Sequence, residues 1–157
     1  TEGFGVFEYR EGEATFYGLE AKVTLHFIDT ERKRLHLTLT SDFVRATNES
    51  NDTPLPRIPP WRFGVRLEQK TPAWTASIAV GHHGEQDRVA PGEFPTNSYT
   101  FLNADFAYRL KFERTEWEIF ILGKNLTDEE GRVHSSLLKD VAPLPGWNIT
   151  TGIRLSF

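Results

Sequence analysis

At 157 residues, with 38% hydrophobic content and a formal net charge of −4, the chain has the length of one domain and no basic stripe that would suit a nucleic-acid partner. No run approaches the roughly 20 apolar residues of a membrane-spanning helix, so a membrane role must use strands, and a mean hydropathy of −0.44 is compatible with that because alternation dilutes the signal. The absence of Cys and Met removes disulfides, thiol nucleophiles and Cys-built metal sites. With no signal-like pattern in TEGFGVFEYR, the start reads as a processed or truncated end.

Apolar residues recur with period two, and the pattern predicts eight strands and no helix. The first strand runs from about Phe4 to Arg10. In the second, Tyr17, Leu19, Ala21, Val23, Leu25 and Phe27 alternate with Gly18, Glu20, Lys22, Thr24 and His26. The third sets Leu35, Leu37 and Leu39 against His36, Thr38 and Thr40, and the fourth sets Trp61, Phe63, Val65 and Leu67 against Arg62, Gly64, Arg66 and Glu68. Trp74, Ala76, Ile78 and Val80 mark the fifth; Leu102, Ala104, Phe106, Tyr108 and Leu110 mark the sixth. The seventh is less clean, because Phe120 and Leu122 interrupt the polar side of Trp117, Ile119 and Ile121. The eighth is the closing WNITTGIRLSF, where Trp147, Ile149, Ile153, Leu155 and Phe157 alternate with Asn148, Thr150, Gly152, Arg154 and Ser156.

The connections alternate in kind. Those around Asp29–Arg34, Lys70–Ala73 and Lys111–Glu116 are short and charged, whereas Ala46–Pro60, His82–Asn97 and Leu126–Gly146 are long and rich in Pro, Gly, Asn and Asp. In an up-and-down meander this puts tight turns at one end and long loops at the other, as in transmembrane barrels. Trp74, Trp117 and Phe157 fall beside the short turns, and Trp61 and Trp147 near the long loops. Two aromatic belts around an aliphatic band suit the two membrane interfaces. The opposite face carries Glu20, Lys22, Arg62, Arg66, Glu68, Glu118 and Arg154. The expected fold is therefore all-β, an antiparallel up-and-down transmembrane β-barrel of about eight strands in residues 1–157, charges toward the lumen. A soluble lipocalin-like barrel with the aliphatic face lining a cavity is the alternative.

The segments FYGLEAKV, PLPRIPPWRFGVRLE, YTFLNADFAYRL, IFILGKNLTDEEGRVHSSLLKDVAPLPGW and GIRLSF together resemble the C-terminal part of the barrel of a TonB-dependent outer-membrane receptor. The stretch from Asn125 to Gly146 is most similar to the zinc-uptake branch. The resemblance implies a non-enzymatic receptor in a Gram-negative outer membrane, a 22-stranded barrel around an N-terminal plug, importing scarce metal or metal chelate with energy from TonB. It also implies that Ile149, Ile153, Leu155 and Phe157 form the signal read by the barrel assembly machinery. Two departures stand out: Trp147 replaces the Arg usual after PLPG, and the chain has no plug or TonB box. Partners are then lipid, the rest of the receptor, and TonB only through a plug; the other possibility is an eight-stranded barrel that closes on itself without transporting.

Imidazoles and carboxylates in the long loops are candidate zinc ligands: His82, His83, Glu85, Asp87 and His134. Adjacent histidines at a strand end point opposite ways, so an exposed pair without function is the leading expectation for His82 and His83, and transient zinc capture with His134 or Glu93 is the alternative. No resident cofactor is expected beyond such transient zinc. His26 and His36 flank one short turn on the charged face, where a structural role is the leading expectation. His134, Ser135, Ser136 and Asp140 are the nearest approach to a hydrolytic set, but loop neighbours do not supply a base oriented by a separate group.

Overall fold

The computed structural model describes residues 12–157, so the strand expected at Phe4–Arg10 lies outside the described residues. Seven long strands carry the structure: β1 (Ala14–Asp29), β2 (Arg34–Asn48), β4 (Arg62–Lys70), β5 (Trp74–His83), β6 (Tyr99–Lys111), β7 (Glu116–Lys124) and β8 (Asn148–Ser156). A two-residue β3 (Thr53–Pro54) pairs with the end of β2. They form one sheet in the order β1-β2-β4-β5-β6-β7-β8, every neighbour antiparallel. Each long strand pairs with the next in sequence, and among the described residues β1 and β8 are not paired, so the sheet is open.

Two of the short turns use the same device. Thr30 and Thr71 each open a turn in which the threonine hydroxyl accepts a backbone N–H three residues on, from Lys33 and Trp74, both at 3.0 Å. A hydroxyl that closes its own turn favours the tight reversal over continued pairing. The long connections hold the left-handed backbone positions instead: Asp52, Arg57, Asn125 and Asp128 all have positive φ.

One irregularity interrupts the longest pairing. His26 lies opposite His36, but Ile28, not Phe27, lies opposite Leu35, and Asp29 opposite Arg34. Phe27 is therefore the extra residue of a β-bulge. Beyond it the side-chain parity of β1 reverses, which puts Ile28 on the apolar face and Asp29 on the charged one.

Little of the sheet is buried. Among the described residues only Ala46 and Tyr99 are buried apolar side chains. A water-soluble domain of this length has a hydrophobic core; here the apolar side chains lie on the outside of the sheet instead.

Candidate functional site

The register carries both faces without a break across all seven long strands. On one face Leu19, Val23, Leu39, Val65, Ile78, Leu102, Phe106, Ile119 and Ile153 follow one another from strand to strand. Leu19 is 73% exposed, Ile119 46% and Ile153 64%, and Trp74 stacks on Phe106 at 6.3 Å between ring centroids. Fully burying a Leu or Ile stabilises a water-soluble protein by about 1.5–3 kcal/mol, so a whole bare face of them requires a covering medium.

The other face is polar and more crowded. Arg62 pairs with Asp42 at 2.7 Å, and Arg66 reaches over β5 to Asp105 at 3.2 Å, which also accepts the Ser77 hydroxyl at 2.6 Å. Glu118 takes Arg109 from β6 at 2.9 Å and Arg154 from β8, so one carboxylate ties three strands. The Arg154 guanidinium also lies over the Phe120 ring, whose edge fills the space that a side chain at position 152 would need; Gly152 leaves it free. Glu118 is 17% exposed and its neighbour Ile119 46%. Side chains that meet across an intervening strand on one face and stand apart on the other mark the charged face as the concave one. A lipocalin-like barrel needs the aliphatic residues on that side. Arg62, Arg66, Glu68, Glu118 and Arg154 lie on the concave face, as do Glu20 and Lys22 on β1.

The three long loops share a buried polar cluster. Glu93 Oε1 accepts the Lys139 ammonium at 2.9 Å and the Arg57 backbone N–H at 3.0 Å, and its other oxygen accepts the Ala90 N–H at 3.2 Å. Arg57, one of the left-handed residues, is thus held by a carboxylate 36 positions away. Lys139 also donates to the Phe94 carbonyl at 2.6 Å. His134 lies within the same cluster, Nδ1 2.9 Å from the Thr96 hydroxyl and Nε2 3.2 Å from Glu93. A neutral imidazole protonated on Nε2 satisfies both contacts. Burial lowers the His134 pKa, the Lys139 ammonium lowers it further, and Glu93 and Asp140 oppose them. For Glu93, burial pushes the pKa up, but the hydrogen bonds from Lys139, Ala90 and Arg57 outweigh it and the net shift is down.

Around this cluster, Arg88 donates to the Ala46 carbonyl at 3.0 Å and the Thr47 hydroxyl at 2.8 Å, joining the second loop to β2. Asn125, buried and left-handed, receives a fixed place from Asn103 Oδ1 at 2.9 Å and donates to the carbonyls of Glu129 and Pro145, sewing together both ends of the third loop. An open hollow of about 520 Å³ is lined by parts of all three loops, including Pro56, Gly92, Phe94 and Leu137.

The structure places the candidate zinc ligands of the long loops in separate surroundings. His82 and His83 are consecutive in β5 and point to opposite faces: His82 bonds Thr100 at 2.8 Å beside Trp61, whereas His83 stacks on Tyr99 at 4.4 Å. Glu85 and Asp87 border a separate recess with Phe43 and Trp61. His134 is enclosed by Glu93, Lys139 and Thr96, with the Lys139 ammonium 3.4 Å from Nε2. The hydroxyl–imidazole–carboxylate line formed by Thr96, His134 and Glu93 is likewise buried, and Ser135 and Ser136 make no hydrogen bond to His134. Among the described residues the one group of three metal-type ligands lies at the opposite end: His26, Asp29 and His36.

The four tryptophans and Phe157 fall at the two ends. Trp74, Trp117 and Phe157 lie at the short-turn ends of β5, β7 and β8, and Trp61 and Trp147 immediately precede β4 and β8 at the long-loop end.

An antiparallel meander with a bare aliphatic face, a concave ion-paired face, tight turns at one end and clamped loops at the other is wall of a transmembrane β-barrel. The chain matches the family described as TonB dependent receptor-like, beta-barrel, over residues 2–126, and it belongs to that family. Its fold is similar to that of the structure titled Copper transporter OprC, with a TM-score of 0.70 at 19% sequence identity over 92% of this chain. The chain spans about a quarter of the length of that protein, 24%.

Proposed function

We propose that the chain is a run of wall in a TonB-dependent receptor of the Gram-negative outer membrane, its apolar face in lipid and its charged face toward a plug supplied by the rest of the receptor. The observation that carries this reading is the unbroken two-faced register over seven strands, with the ion pairs on the concave side. Among the described residues the outer edges of β1 and β8 are unpaired, which favours a longer barrel over an eight-stranded one closed on itself, since an exposed edge cannot persist in hydrocarbon. Trp61, Trp74, Trp117, Trp147 and Phe157 anchor the wall at the two interfaces. Ile149, Ile153, Leu155 and Phe157 form the strand that the assembly machinery reads. The cargo is a scarce transition metal or its chelate; zinc follows from the resemblance of the Asn125–Gly146 stretch, and OprC is named for copper. The receptor acts by binding and passage, without chemistry on its cargo.

Energised uptake tests this. Cells expressing the full-length protein that carries this chain should accumulate radiolabelled zinc or copper only when TonB is present, and deletion of the chain's strands should abolish uptake. Uptake equal in cells with and without TonB would contradict the receptor reading.

A further inference from the structure

The cluster at the short-turn end is made by the bulge. Regular alternation would place His26 and Asp29, three residues apart, on opposite faces of β1. The extra residue Phe27 turns Asp29 back onto the face of His26, directly beside His36 on the neighbouring strand. The ligand atoms of all three residues lie within 4.8 Å of one another, and the two imidazoles meet edge to face at 4.3 Å. His36 Nε2 is buried, has no hydrogen-bond partner among the described residues, and faces Asp29 Oδ1 at 3.8 Å. A buried ring nitrogen without a partner is costly unless something else occupies it. Glu68 is paired with His36 in register on β4, but its carboxylate faces Arg66 at 3.4 Å and is not one of the three.

From this geometry we propose that His26, Asp29 and His36 form a binding site for a divalent first-row transition metal, Zn²⁺ or Cu²⁺, at the short-turn mouth of the barrel wall. Two imidazoles and one carboxylate are a donor set for these ions and not for the hard cations Ca²⁺ and Mg²⁺, which take oxygen ligands. A tetrahedral Zn²⁺ with bonds of about 2.0–2.1 Å sets its ligands about 3.3 Å apart, so the three side chains close on the ion by side-chain rotation without any change of register. The competing contact is weak: Arg34 Nε holds Asp29 at 3.4 Å with both side chains more than half exposed. Three protein ligands leave a fourth position open, as in sites that exchange what they bind. In barrels of this kind the short turns face the periplasm, so the site lies at the side where cargo would leave. It rests on its own donors and not on the identity of that cargo.

The test is metal titration of the full-length protein carrying this chain, in detergent micelles, with Zn²⁺ by calorimetry and Co²⁺ by visible absorption. The expected result is a site whose affinity falls by at least about tenfold in His26→Gln and in His36→Gln, since even an outer partner of a metal ligand contributes that much. His83→Gln and His134→Gln should leave this site unchanged. Asp29→Asn, at an exposed position, covers the case in which a histidine variant fails to fold, and it too should weaken binding and alter the Co²⁺ spectrum. No binding by the native protein, or binding retained in His36→Gln and Asp29→Asn, would overturn the proposal; so would loss on His134→Gln alone.

Discussion

The strand wall and the loop layer are stabilised in opposite ways. In the wall, side chains stand apart on the apolar face and make half-exposed ion pairs on the other, so its order comes from the backbone ladder and the surrounding medium. In the loop layer the polar groups are buried: Gln86, Thr96, Asn125, His134 and Lys139 are all enclosed. The wall tolerates changes that keep the period of two, whereas the loops depend on single partners up to 46 residues apart.

Substitutions on each side should expose that contrast. The largest effect is expected from Lys139→Met, which strands the Glu93 carboxylate without its counter-ion; breaking a buried pair costs about 3–5 kcal/mol. Hydrogen exchange should rise through residues 84–98 and 125–147, with the strand amides unchanged. Next comes Ile78→Arg, in the middle of β5 on the apolar face, where an arginine at the membrane midplane costs about 2–4 kcal/mol. Gly81→Lys, three residues on and facing the lumen with open space around it, should shift the urea midpoint in bilayers far less. If both changes cost the same, the two faces are not distinguished by their medium.

Acid should loosen the loop cluster. The His134 pKa is lowered from the ordinary 6.5, so the unfolded or opened loop binds the proton more readily than the closed one. Its contribution is complete above pH 6.5 and is lost as pH falls below that toward the lowered value. Glu93, lowered from 4.5, adds a second loss at more acid pH. Loop protection factors, taken relative to the intrinsic exchange rate at each pH, should therefore fall in two stages as pH drops. The smallest effect is expected from Arg62→Gln: the Asp42 pair is partly exposed, and its removal should change stability by about 0–1 kcal/mol.

How much of this was legible in the sequence follows from the range of the interactions. Strand alternation is local, so the strands around Val23, Leu37, Val65, Ile78, Phe106 and Ile153, and the face each residue occupies, can be read directly. Strand length is less local. The alternation ends the third predicted strand near Thr40, but β2 runs to Asn48 because Ser41–Asn48 pair with Ala14–Ala21. The bulge left a readable trace, the adjacent apolar pair Phe27 and Ile28 followed by Asp29, which breaks the period of two. That trace is what brings Asp29 to the two histidines. The loop cluster left none, because Glu93, His134 and Lys139 are ordinary polar residues whose pairing depends on how three loops fold together. For that reason His134, with the profile of an exposed metal ligand in sequence, is a buried partner of Glu93 and Thr96.

The central claim, that lipid covers one face and the lumen the other, is tested most directly on β7, where sequence alternation is weakest. This chain has no native cysteine, so single cysteines can be placed at its positions 118 to 122, within the full-length protein freed of any other cysteine, and reacted in liposomes with a small water-soluble thiol reagent. The account predicts fast labelling at Glu118, Phe120 and Leu122 and protection at Ile119 and Ile121, although Phe120 and Leu122 are as apolar as the residues between them. Equal labelling along the strand, or protection that follows hydrophobicity instead of parity, would contradict it.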